Sequence, residues 1–383
     1  MTTFSELGLS KPTLSALTAA GFTEPTEIQA QTIELIIGGK DVLASAQTGS
    51  GKTAAFALPI IDCLEEPDEK PRSLVLAPTR ELALQIASQF NLFGANRGLK
   101  VVTLYGGVAM AQQIRALKGP VDVIVATPGR LIDCIQRKLV DLSGIEILVL
   151  DEADRLLDLG FMPQLRQINS RLPKDRQSLL FSATIDARIS RLAADFTNDP
   201  ILIQVRGETV EAPLIEQTFM HVTEFSKDDL LIKLLNEMNC NSILVFTSTK
   251  RKAGWVKDRL RDAQVSAEEI HSDISQAQRE KTLKKYRAGE FSVLVATDVA
   301  ARGLDIPVIS HVINYDLPTT PEDYVHRIGR TGRAGRSGTA VSFISEEQKH
   351  LVRDIEKVVG RQLDTAPVPL RKPMLGRRFG RRR

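Results

Sequence analysis

The chain has 383 residues, of which 43% are apolar, so it is long enough for two or three domains with ordinary hydrophobic cores. Its formal net charge at pH 7 is only +3. No apolar run is long enough to span a bilayer, and the first ten residues lack the basic and apolar blocks of a signal peptide. The sequence therefore predicts a globular cytoplasmic protein and argues against a membrane partner.

A phosphate-binding loop is predicted near the N-terminus. The apolar run at residues 42–44 is followed by AQTGSGKT (46–53) and then by a helix-like stretch. A strand, a tight loop and a helix N-terminus together suit a bound phosphate, and Gly49 and Gly51 allow backbone N–H groups to turn toward it. The segment reads as a P-loop, although Ala46 replaces the first glycine of the strict pattern. A simple glycine-rich turn is the alternative.

Four polar residues supply the predicted chemistry. Lys52 can reach the β- and γ-phosphates, and the Thr53 hydroxyl can bind Mg²⁺. Asp151 and Glu152 directly follow the apolar run ILVL, so we expect them at the same sheet edge as the P-loop. One carboxylate can hold Mg²⁺ through water while the other accepts a proton from the attacking water. The alternative is a pair of solvated acids at a helix N-terminus.

The rest of the chain up to about residue 205 alternates apolar runs with amphipathic stretches of ten or more residues. Runs that are apolar on both faces and separated by helices are typical of parallel strands in a doubly wound α/β sheet. The clearest runs are at residues 73–78, 101–106, 121–127, 146–154 and 178–184.

A second α/β domain is predicted beyond this point. The alternation breaks near residues 204–217 and then resumes, with apolar runs at 242–249, 292–298 and 311–316. We therefore predict one domain at residues 1–206, a linker at 207–217 and another domain at 218–365. The second domain has no P-loop of its own, which fits two similar domains that share one nucleotide.

A basic tail follows at residues 366–383. Its last thirteen residues hold seven Lys and Arg and no acid, which leaves the rest of the chain with a net charge of −4. We expect this tail to be disordered and to favour a polyanion partner, and a merely solvated chain end is the alternative.

The motifs together resemble a known family. Residues 151–154 spell DEAD, AQTGSGKT precedes them, and SAT (182–184) follows. Over residues 4 to about 345 the chain resembles the DEAD-box RNA helicases of superfamily 2, and the small bacterial RhlE-like members most of all. This resemblance implies two RecA-like domains in tandem, joined by a short linker, with ATP and Mg²⁺ as cofactors and RNA as partner. It also suggests ribosomal or RNA-degradation machinery as protein partners.

The resemblance implies roles at the nucleotide. Segment 21–29 (GFTEPTEIQ), together with Phe4, is similar to the adenine-reading Q motif, in which Phe22 stacks on the base and Gln29 hydrogen-bonds its edge, although packing roles are the alternative. Glu24 stands where many members carry a basic residue. The implied catalytic residues are Lys52, Asp151, Glu152, Arg330 and Arg333. The implied nucleotide-binding residues are Phe22, Thr26, Gln29, Ala46, Gln47, Thr48, Gly49, Ser50, Gly51, Lys52, Thr53, Asp305, Arg330 and Arg333.

The resemblance also implies an RNA surface. Its residues are Pro78, Thr79, Arg80, Gly106, Gly107, Thr127, Pro128, Gly129 and Arg130 in the first domain, and Gln276, Arg279 and Thr297 in the second. Few aromatic residues accompany them, so we expect a sequence-independent grip on the sugar–phosphate backbone. The residues implied to couple the two ligands are Ser182, Thr184, His326 and Arg327.

The predicted function is an ATP-dependent RNA helicase that unwinds short duplexes locally or remodels ribonucleoprotein. An ATP-gated RNA clamp or annealing scaffold without productive unwinding is the main alternative. A DNA helicase is a further one, because a backbone grip alone need not distinguish the sugars.

Overall fold

The computed structural model describes residues 3–46, 49–64, 68–205, 215–238, 242–298, 309–332, 337–360 and 362–366. Within these residues the chain forms two compact units, each built on one parallel β-sheet. The described residues up to 205 lie in the first unit and those from 215 onward in the second. This confirms the predicted fold class of two tandem doubly wound α/β domains.

The sheet of the first unit has seven strands in the order β3-β4-β2-β5-β6-β1-β7. Every neighbouring pair is parallel. The strands are β1 (Val42–Ser45), β2 (Ser73–Leu76), β3 (Val101–Leu104), β4 (Val123–Ala126), β5 (Ile147–Leu150), β6 (Gln177–Ser182) and β7 (Ile201–Gln204). Each of the apolar runs predicted as strands in this half of the chain overlaps one of these strands.

Nine α-helices accompany this sheet within the described residues up to 205. They are α1 (Lys11–Ala19), α2 (Glu27–Ile37), α3 (Lys52–Cys63), α4 (Arg80–Phe93), α5 (Met110–Ala116), α6 (Pro128–Gln136), α7 (Ala153–Asp158), α8 (Met162–Asn169) and α9 (Ala187–Phe196). Alternate strand residues enter separate cores: Val149 packs with α2, α3 and α4, whereas its neighbours Leu148 and Leu150 pack with α6 to α9. Burial on both faces explains why these strands read as unbroken apolar runs.

The second unit repeats this architecture with the strand order β10-β11-β9-β12-β13-β8-β14. Its strands are β8 (Ile215–His221), β9 (Ile243–Thr247), β10 (Ala267–Ile270), β11 (Val293–Thr297), β12 (His311–Asn314), β13 (Gly338–Ile344) and β14 (Asp364–Ala366). Its helices are α10 (Lys227–Glu237), α11 (Lys250–Asp262), α12 (Gln276–Arg287), α13 (Pro321–Ile328) and α14 (Lys349–Val359). No helix among the described residues of either unit is long and apolar enough to cross a membrane.

Strand β8 changes one predicted boundary. Its first three residues, 215–217, fall inside the segment predicted as linker, and they pair with residues 338–340 of β13. Glu216 is exposed between the buried Ile215 and Gln217, so the strand alternates polar and buried positions and lacks the apolar run that marks the others.

A buried carboxylate anchors the N-terminal segment to the P-loop helix α3. The Asp62 side chain, on the last turn of α3, accepts hydrogen bonds from the backbone N–H and hydroxyl of Ser10, both at 2.6 Å, and from the Thr13 hydroxyl at 2.5 Å. The Arg97 guanidinium donates to the same carboxylate at 2.9 Å. The Asp62 and Arg97 side chains are only 10% and 15% exposed, so water barely screens their attraction.

We expect Asp62→Ala to lower the free energy of unfolding of the first unit by about 3 kcal/mol, because it leaves the Arg97 cation partly buried without its counterion. Urea unfolding measures the change. The control is Asp195→Ala, since Asp195 is 45% exposed in its ion pair with Arg166 and should contribute about 0–1 kcal/mol. Equal losses in the two variants would contradict the anchoring role.

Candidate functional site

The carboxyl edge of the first sheet collects the motifs that follow its strands. Because the strands are parallel, the segments that follow them meet at one edge. The adjacent strands β5 and β1 end at the motifs assigned to the nucleotide, residues 151–154 and 46–53, and β6 between them ends at residues 182–184, which are assigned to coupling. The adjacent strands β2, β4 and β3 end at those assigned to RNA, which are residues 78–80, 127–130 and 106–107. The first domain's part of the predicted nucleotide site and its part of the predicted RNA site, here called the two half-sites, are therefore neighbours on one edge.

The P-loop requires glycine at two of its described positions. Gly49 and Gly51 have φ angles of +87° and +92°, a region that favours glycine. A Cβ atom at Gly51 would also lie 2.5 Å from Nε2 of Gln29, so a side chain is excluded there by space as well. Gln47 and Thr48 lie outside the described residues.

Lys52 begins helix α3 and points back into the loop. Its side chain is buried, and Nζ donates to the backbone carbonyl of Ala46 at 2.6 Å and to that of Ser182 at 3.4 Å. The ammonium group therefore lies between the ends of the neighbouring strands β1 and β6. Ser50 precedes Lys52 by two residues and Thr53 follows it in the sequence, and no partner for the buried Ser50 hydroxyl is found within the described chain.

Asp151 is a buried carboxyl group at the end of strand β5. Its backbone N–H donates to the Leu76 carbonyl at 3.0 Å, which extends the β5–β2 ladder by one residue, and its Oδ1 accepts from the N–H of Glu152 at 2.9 Å. Burial raises the pKa of Asp151 to about 7, while the positive charge of Lys52 acts in the opposite direction. An additional cation at this carboxylate would be electrostatically favourable.

Glu152 has a constrained backbone. Its φ and ψ of 48° and 54° lie in the left-handed region, which costs a residue with a side chain about 1–3 kcal/mol. Its Oε2 accepts from NH1 of Arg155 at 2.9 Å, one turn along α7. The turn therefore redirects the chain sharply after β5, and Arg155 fixes the orientation of the Glu152 carboxylate.

Asp154 joins two motifs that the sequence analysis linked only by resemblance. Its Oδ2 accepts from the backbone N–H of Ala183 at 3.0 Å, in the middle of the SAT segment. The backbone N–H of Thr184 in turn donates to the Ser182 hydroxyl at 3.4 Å. The assigned coupling residues Ser182 and Thr184 are thus held directly against the DEAD segment. Asp154 was missed as a site residue, although the fourth letter of DEAD was the available signal.

The segment assigned to the adenine is tied to the P-loop through Gln29. Its Oε1 accepts from the backbone N–H of Thr26 at 3.0 Å, and its Nε2 donates to the Gly51 carbonyl at 3.1 Å. Gln29 is only 2% exposed, so these two hydrogen bonds are shielded from water and help to hold the segment against the P-loop. Phe22 is 38% exposed and packs edge-on against Phe93 with ring centroids 5.5 Å apart, which leaves part of its ring surface open for stacking.

The loops assigned to RNA in the first unit are held by their own arginines. NH1 of Arg80 donates to the Gly106 carbonyl at 3.2 Å, and its guanidinium lies 5.2 Å from the centre of the Tyr105 ring. NH2 of Arg130 donates to the Val108 carbonyl at 3.1 Å. Both arginines therefore organise the loop after β3, in addition to the phosphate contacts predicted for them.

Two further side chains support these loops. Thr79 caps helix α4 by accepting from the Leu82 N–H at 3.3 Å. Gln113 on α5 accepts from NH1 of Arg130 at 2.8 Å. Its role could not be predicted, because a lone glutamine on a short helix gives no motif signal. Pro128 begins α6, which starts directly after Thr127.

Two assigned residues of the second unit lie at the carboxyl edge of its sheet: Thr297 ends strand β11, and Arg279 lies on the first turn of α12, which follows β10. Arg330 follows helix α13, which carries His326. The next residue, Thr331, pairs with Ile309 just before β12, so Arg330 lies near the amino edge of the second sheet. Asp305 and Arg333 lie outside the described residues, as does the tail from 367 onward, and the side chain of Gln276 is likewise not described.

Arg327, which the resemblance assigns to coupling, is buried inside the second unit. It makes two hydrogen bonds of 2.6 Å to the carboxylate of Asp298 and donates to the Asn314 side chain at 3.1 Å and to the Asp316 carbonyl at 2.6 Å. With four hydrogen bonds and the Phe246 ring 4.9 Å away, this guanidinium is committed to its own domain.

Asp316 holds the turn after strand β9. Its Oδ2 accepts from both the N–H and the hydroxyl of Ser248 at 2.8 Å, and Lys227 and Lys252 donate to Oδ1. Burial alone would raise the pKa of Asp316, but the hydrogen bonds from Lys252 and Ser248 and the charge of Lys227 lower it to about 2. The ionised carboxylate therefore fixes Ser248 and the turn that follows β9.

Comparison with known proteins supports this division of the chain. A family model described as "DEAD/DEAH box helicase" matches residues 26–192, and one described as "Helicase conserved C-terminal domain" matches residues 226–335. The first match covers the P-loop, DEAD and SAT segments. The second covers the described strands β9 to β12 and helix α13.

Individual relatives extend the similarity over nearly the whole chain. The DEAD-box ATP-dependent RNA helicase CshA of Bacillus cereus is 44% identical over 369 residues, which cover 96% of this chain and 70% of the relative. The CshA of Bacillus subtilis is 43% identical over 367 residues, which cover 96% and 74%. These relatives are bacterial, as the resemblance implied, while the RhlE-like subgroup stays a prediction.

Solved structures agree. Dbp5 of S. cerevisiae bound to RNA and ADP BeF3 superimposes with a TM-score of 0.86 at 34% identity, covering 96% of each chain. Mss116p bound to ssRNA and AMP-PNP gives a TM-score of 0.86 at 29% identity, covering 97% of this chain and 80% of that one. With two matching family models and relatives above 40% identity over almost its full length, the chain belongs to the DEAD-box family of ATP-dependent RNA helicases.

Proposed function

We propose that the chain hydrolyses ATP in response to RNA and uses the cycle to separate short duplexes locally, without regard to base sequence. The observation that carries this proposal is the shared sheet edge, where nucleotide motifs on β5 and β1, with the coupling motif on β6 between them, adjoin RNA motifs on β2, β4 and β3. The hydrogen bond from Ala183 to Asp154 joins the SAT and DEAD segments of that edge. Occupation of one half-site can then favour binding at the other.

Residues of the first unit would bind and hydrolyse the nucleotide. Phe22 would stack on the adenine, and Gln29 would use its second N–H and second oxygen lone pair, which its contacts to Thr26 and Gly51 leave over, for the edge of the base. Lys52 would exchange its two backbone carbonyl partners for the terminal phosphates. Glu152 would accept the proton of the attacking water, with Arg155 holding its carboxylate in place.

The donor set also fits Mg²⁺. Hard divalent cations prefer oxygen ligands, and Asp151 offers a buried carboxylate whose ionised form a cation would favour, with the Thr53 hydroxyl as a second ligand on α3. When bound, Mg²⁺ neutralises the charge that develops on the transferred phosphate. Asp151 and Thr53 are therefore proposed as its protein ligands, partly through water.

The second unit would complete both sites. By resemblance, Arg330 and Arg333 would approach the γ-phosphate, Asp305 would contact the ribose, and His326 would assist coupling. Gln276, Arg279 and Thr297 would add RNA contacts to those of the first unit. Arg327 would contribute indirectly, because its bonds to Asp298 and Asn314 fix the helix that precedes Arg330.

One experiment tests the proposed function: ATP turnover measured without nucleic acid, with single-stranded RNA, with duplex RNA and with DNA of the same sequence. We expect turnover to rise with RNA and a short RNA duplex to separate as ATP is consumed. Turnover that ignores RNA would contradict the proposal. RNA-stimulated turnover without strand separation would favour the alternative of an ATP-gated clamp or annealing scaffold, and equal stimulation by DNA would favour a DNA helicase.

The basic tail is proposed as an RNA tether. If its seven cations contact phosphates of a single strand, log K falls with log[salt] by about 0.7 per phosphate, so deleting residues 371–383 should flatten the slope by up to about 5 units. RNA-saturated turnover should barely change. A tail with every Arg replaced by Lys is the control, since it keeps the charge and should keep the slope. Parallel salt plots with and without the tail would contradict the tether.

Cytoplasmic location and protein partners from the ribosome or the RNA-degradation machinery also stay predictions from the sequence. Co-purification of the tagged protein with and without nuclease treatment would separate direct protein partners from partners bridged by RNA.

A further inference from the structure

Helix α5 has an inverted burial pattern. Its fully buried residue is Gln113, at 4% exposure, whereas its apolar residues Met110 and Ile114 are only half-buried. An amide placed in such an environment costs free energy unless both of its ends are hydrogen-bonded. A polar residue at the position where packing would select an apolar one often marks a functional constraint.

Both ends of the Gln113 amide are hydrogen-bonded, and each bond has a different partner. Nε2 donates to the Tyr105 carbonyl at 2.9 Å, and Oε1 accepts from NH1 of Arg130 at 2.8 Å. A carbonyl can only accept and a guanidinium can only donate, so the position requires a side chain with one donor and one acceptor. Gln113 therefore bridges the loop after β3 and the arginine at the start of α6.

Three side chains donate hydrogen bonds to backbone carbonyls of this loop. Gln113 donates to the Tyr105 carbonyl, Arg80 donates to the Gly106 carbonyl, and Arg130 donates to the Val108 carbonyl. Gly107 has a φ angle of +83°, and a Cβ there would lie 2.5 Å from NH1 of Arg80. With its carbonyls held from one side, the loop leaves the exposed glycines 106 and 107 on its outer surface, where the lack of side chains lets a strand approach the backbone.

We propose that Gln113 is the positioning residue of the RNA half-site in the first domain. It makes no contact with RNA itself but sets Arg130 and the Gly106–Gly107 loop at a fixed separation, so that both can contact one sugar–phosphate strand together. This inference rests on the proposed RNA contacts of those residues. It adds a residue that the motif analysis did not assign and explains why a short exposed helix buries an amide.

Three substitutions separate positioning from mere packing. Gln113→Glu keeps an oxygen for Arg130 but places a second oxygen against the Tyr105 carbonyl, so the loop is released while the arginine stays bound. Gln113→Met keeps the size of the side chain and loses both hydrogen bonds. Gln112→Glu makes the same charge change at the exposed neighbouring position and is the matched control.

The test measures ATP turnover of the full chain against the concentration of single-stranded RNA. We expect the half-saturating RNA concentration to rise about tenfold in both variants, because Gln113→Glu loses the neutral hydrogen bond to Tyr105 and Gln113→Met loses that bond and the one from the Arg130 cation. The kcat at saturating RNA and the KM for ATP should stay within about twofold of wild type, as should every parameter of Gln112→Glu. Thermal unfolding of each variant reports on the fold.

The outcomes are distinct. If RNA stimulates wild-type turnover but the half-saturating RNA concentration of both Gln113 variants stays within about twofold of wild type, the inference is overturned while the proposed function stands. A lower Tm together with equal losses in ATP binding and kcat also overturns it, because a packing role predicts that pattern. Wild-type turnover that ignores RNA overturns the proposed function first, and the inference falls with it.

Discussion

Replacing Lys52 with alanine is expected to reduce ATP hydrolysis to background, by at least about 10²–10³-fold. Lys52 is the P-loop cation at the end of strand β1, and its ammonium lies between the carbonyls of Ala46 and Ser182 at 2.6 and 3.4 Å. In a closed, dry site, a fixed positive charge at the terminal phosphates stabilises the charge that develops on them, and alanine supplies none.

Steady-state turnover with saturating ATP and RNA measures this effect. Lys40→Ala is the matched control, because Lys40 is an exposed lysine just before the other end of the same strand β1. It should hydrolyse ATP at the wild-type rate. Near-normal turnover in Lys52→Ala, with the control intact, would remove the P-loop assignment and the nucleotide site built on it.

The parallel sheets could be predicted because strands that are buried on both faces are continuous apolar runs in the sequence. Runs such as ILVL before Asp151 are apolar at every position, and turn residues bound them. Strand β8 was placed partly in the linker for the opposite reason. It alternates buried and exposed residues, and Pro213 and Gly207 lie just before it, so its local pattern resembles a connecting segment. Its pairing with β13, more than a hundred residues away, is what makes it a strand.

The site shows a similar division. Motif spacing located the P-loop, DEAD and SAT segments, because each occupies the end of a strand and parallel strands end together. Spacing could not show what individual side chains bind. In the sequence, Arg327 looks like an ordinary exposed cation of a basic segment. In the structure its guanidinium is buried, and it donates hydrogen bonds to the side chains of Asp298 and Asn314. Gln113 could not be predicted as a site residue, because its role depends on the folded position of the loop that it supports.

Glu152→Gln separates binding from chemistry more sharply than any other substitution at this site. The side chain keeps its shape, and its oxygen can still accept from NH1 of Arg155. The left-handed backbone at this position, with φ of 48°, also stays the same for a residue of equal size. Gln cannot accept the proton of the attacking water, which is the one property that the proposed role requires.

The control for this variant lies on the same strand. Glu146 precedes the other end of β5, 54% exposed and paired with Arg72 at 2.8 Å, so Glu146→Gln makes the same chemical change away from the phosphates. It should keep the wild-type turnover, because the Glu146 carboxylate lies at the opposite end of β5 from Glu152.

The expected result for Glu152→Gln is a loss of about 10²–10⁴-fold in kcat, the range that general base catalysis supplies, with unchanged affinity for Mg·ATP. Because the proposed coupling makes bound ATP favour RNA binding, a variant that binds ATP but cannot cleave it should retain single-stranded RNA for as long as ATP is present and release it when ATP is removed. RNA retention in filter binding, followed with and without ATP, measures this alongside the turnover assay. An unchanged kcat would exclude Glu152 as the base. A loss of ATP binding equal to the loss of kcat would instead assign Glu152 to the structure of the β5–α7 turn.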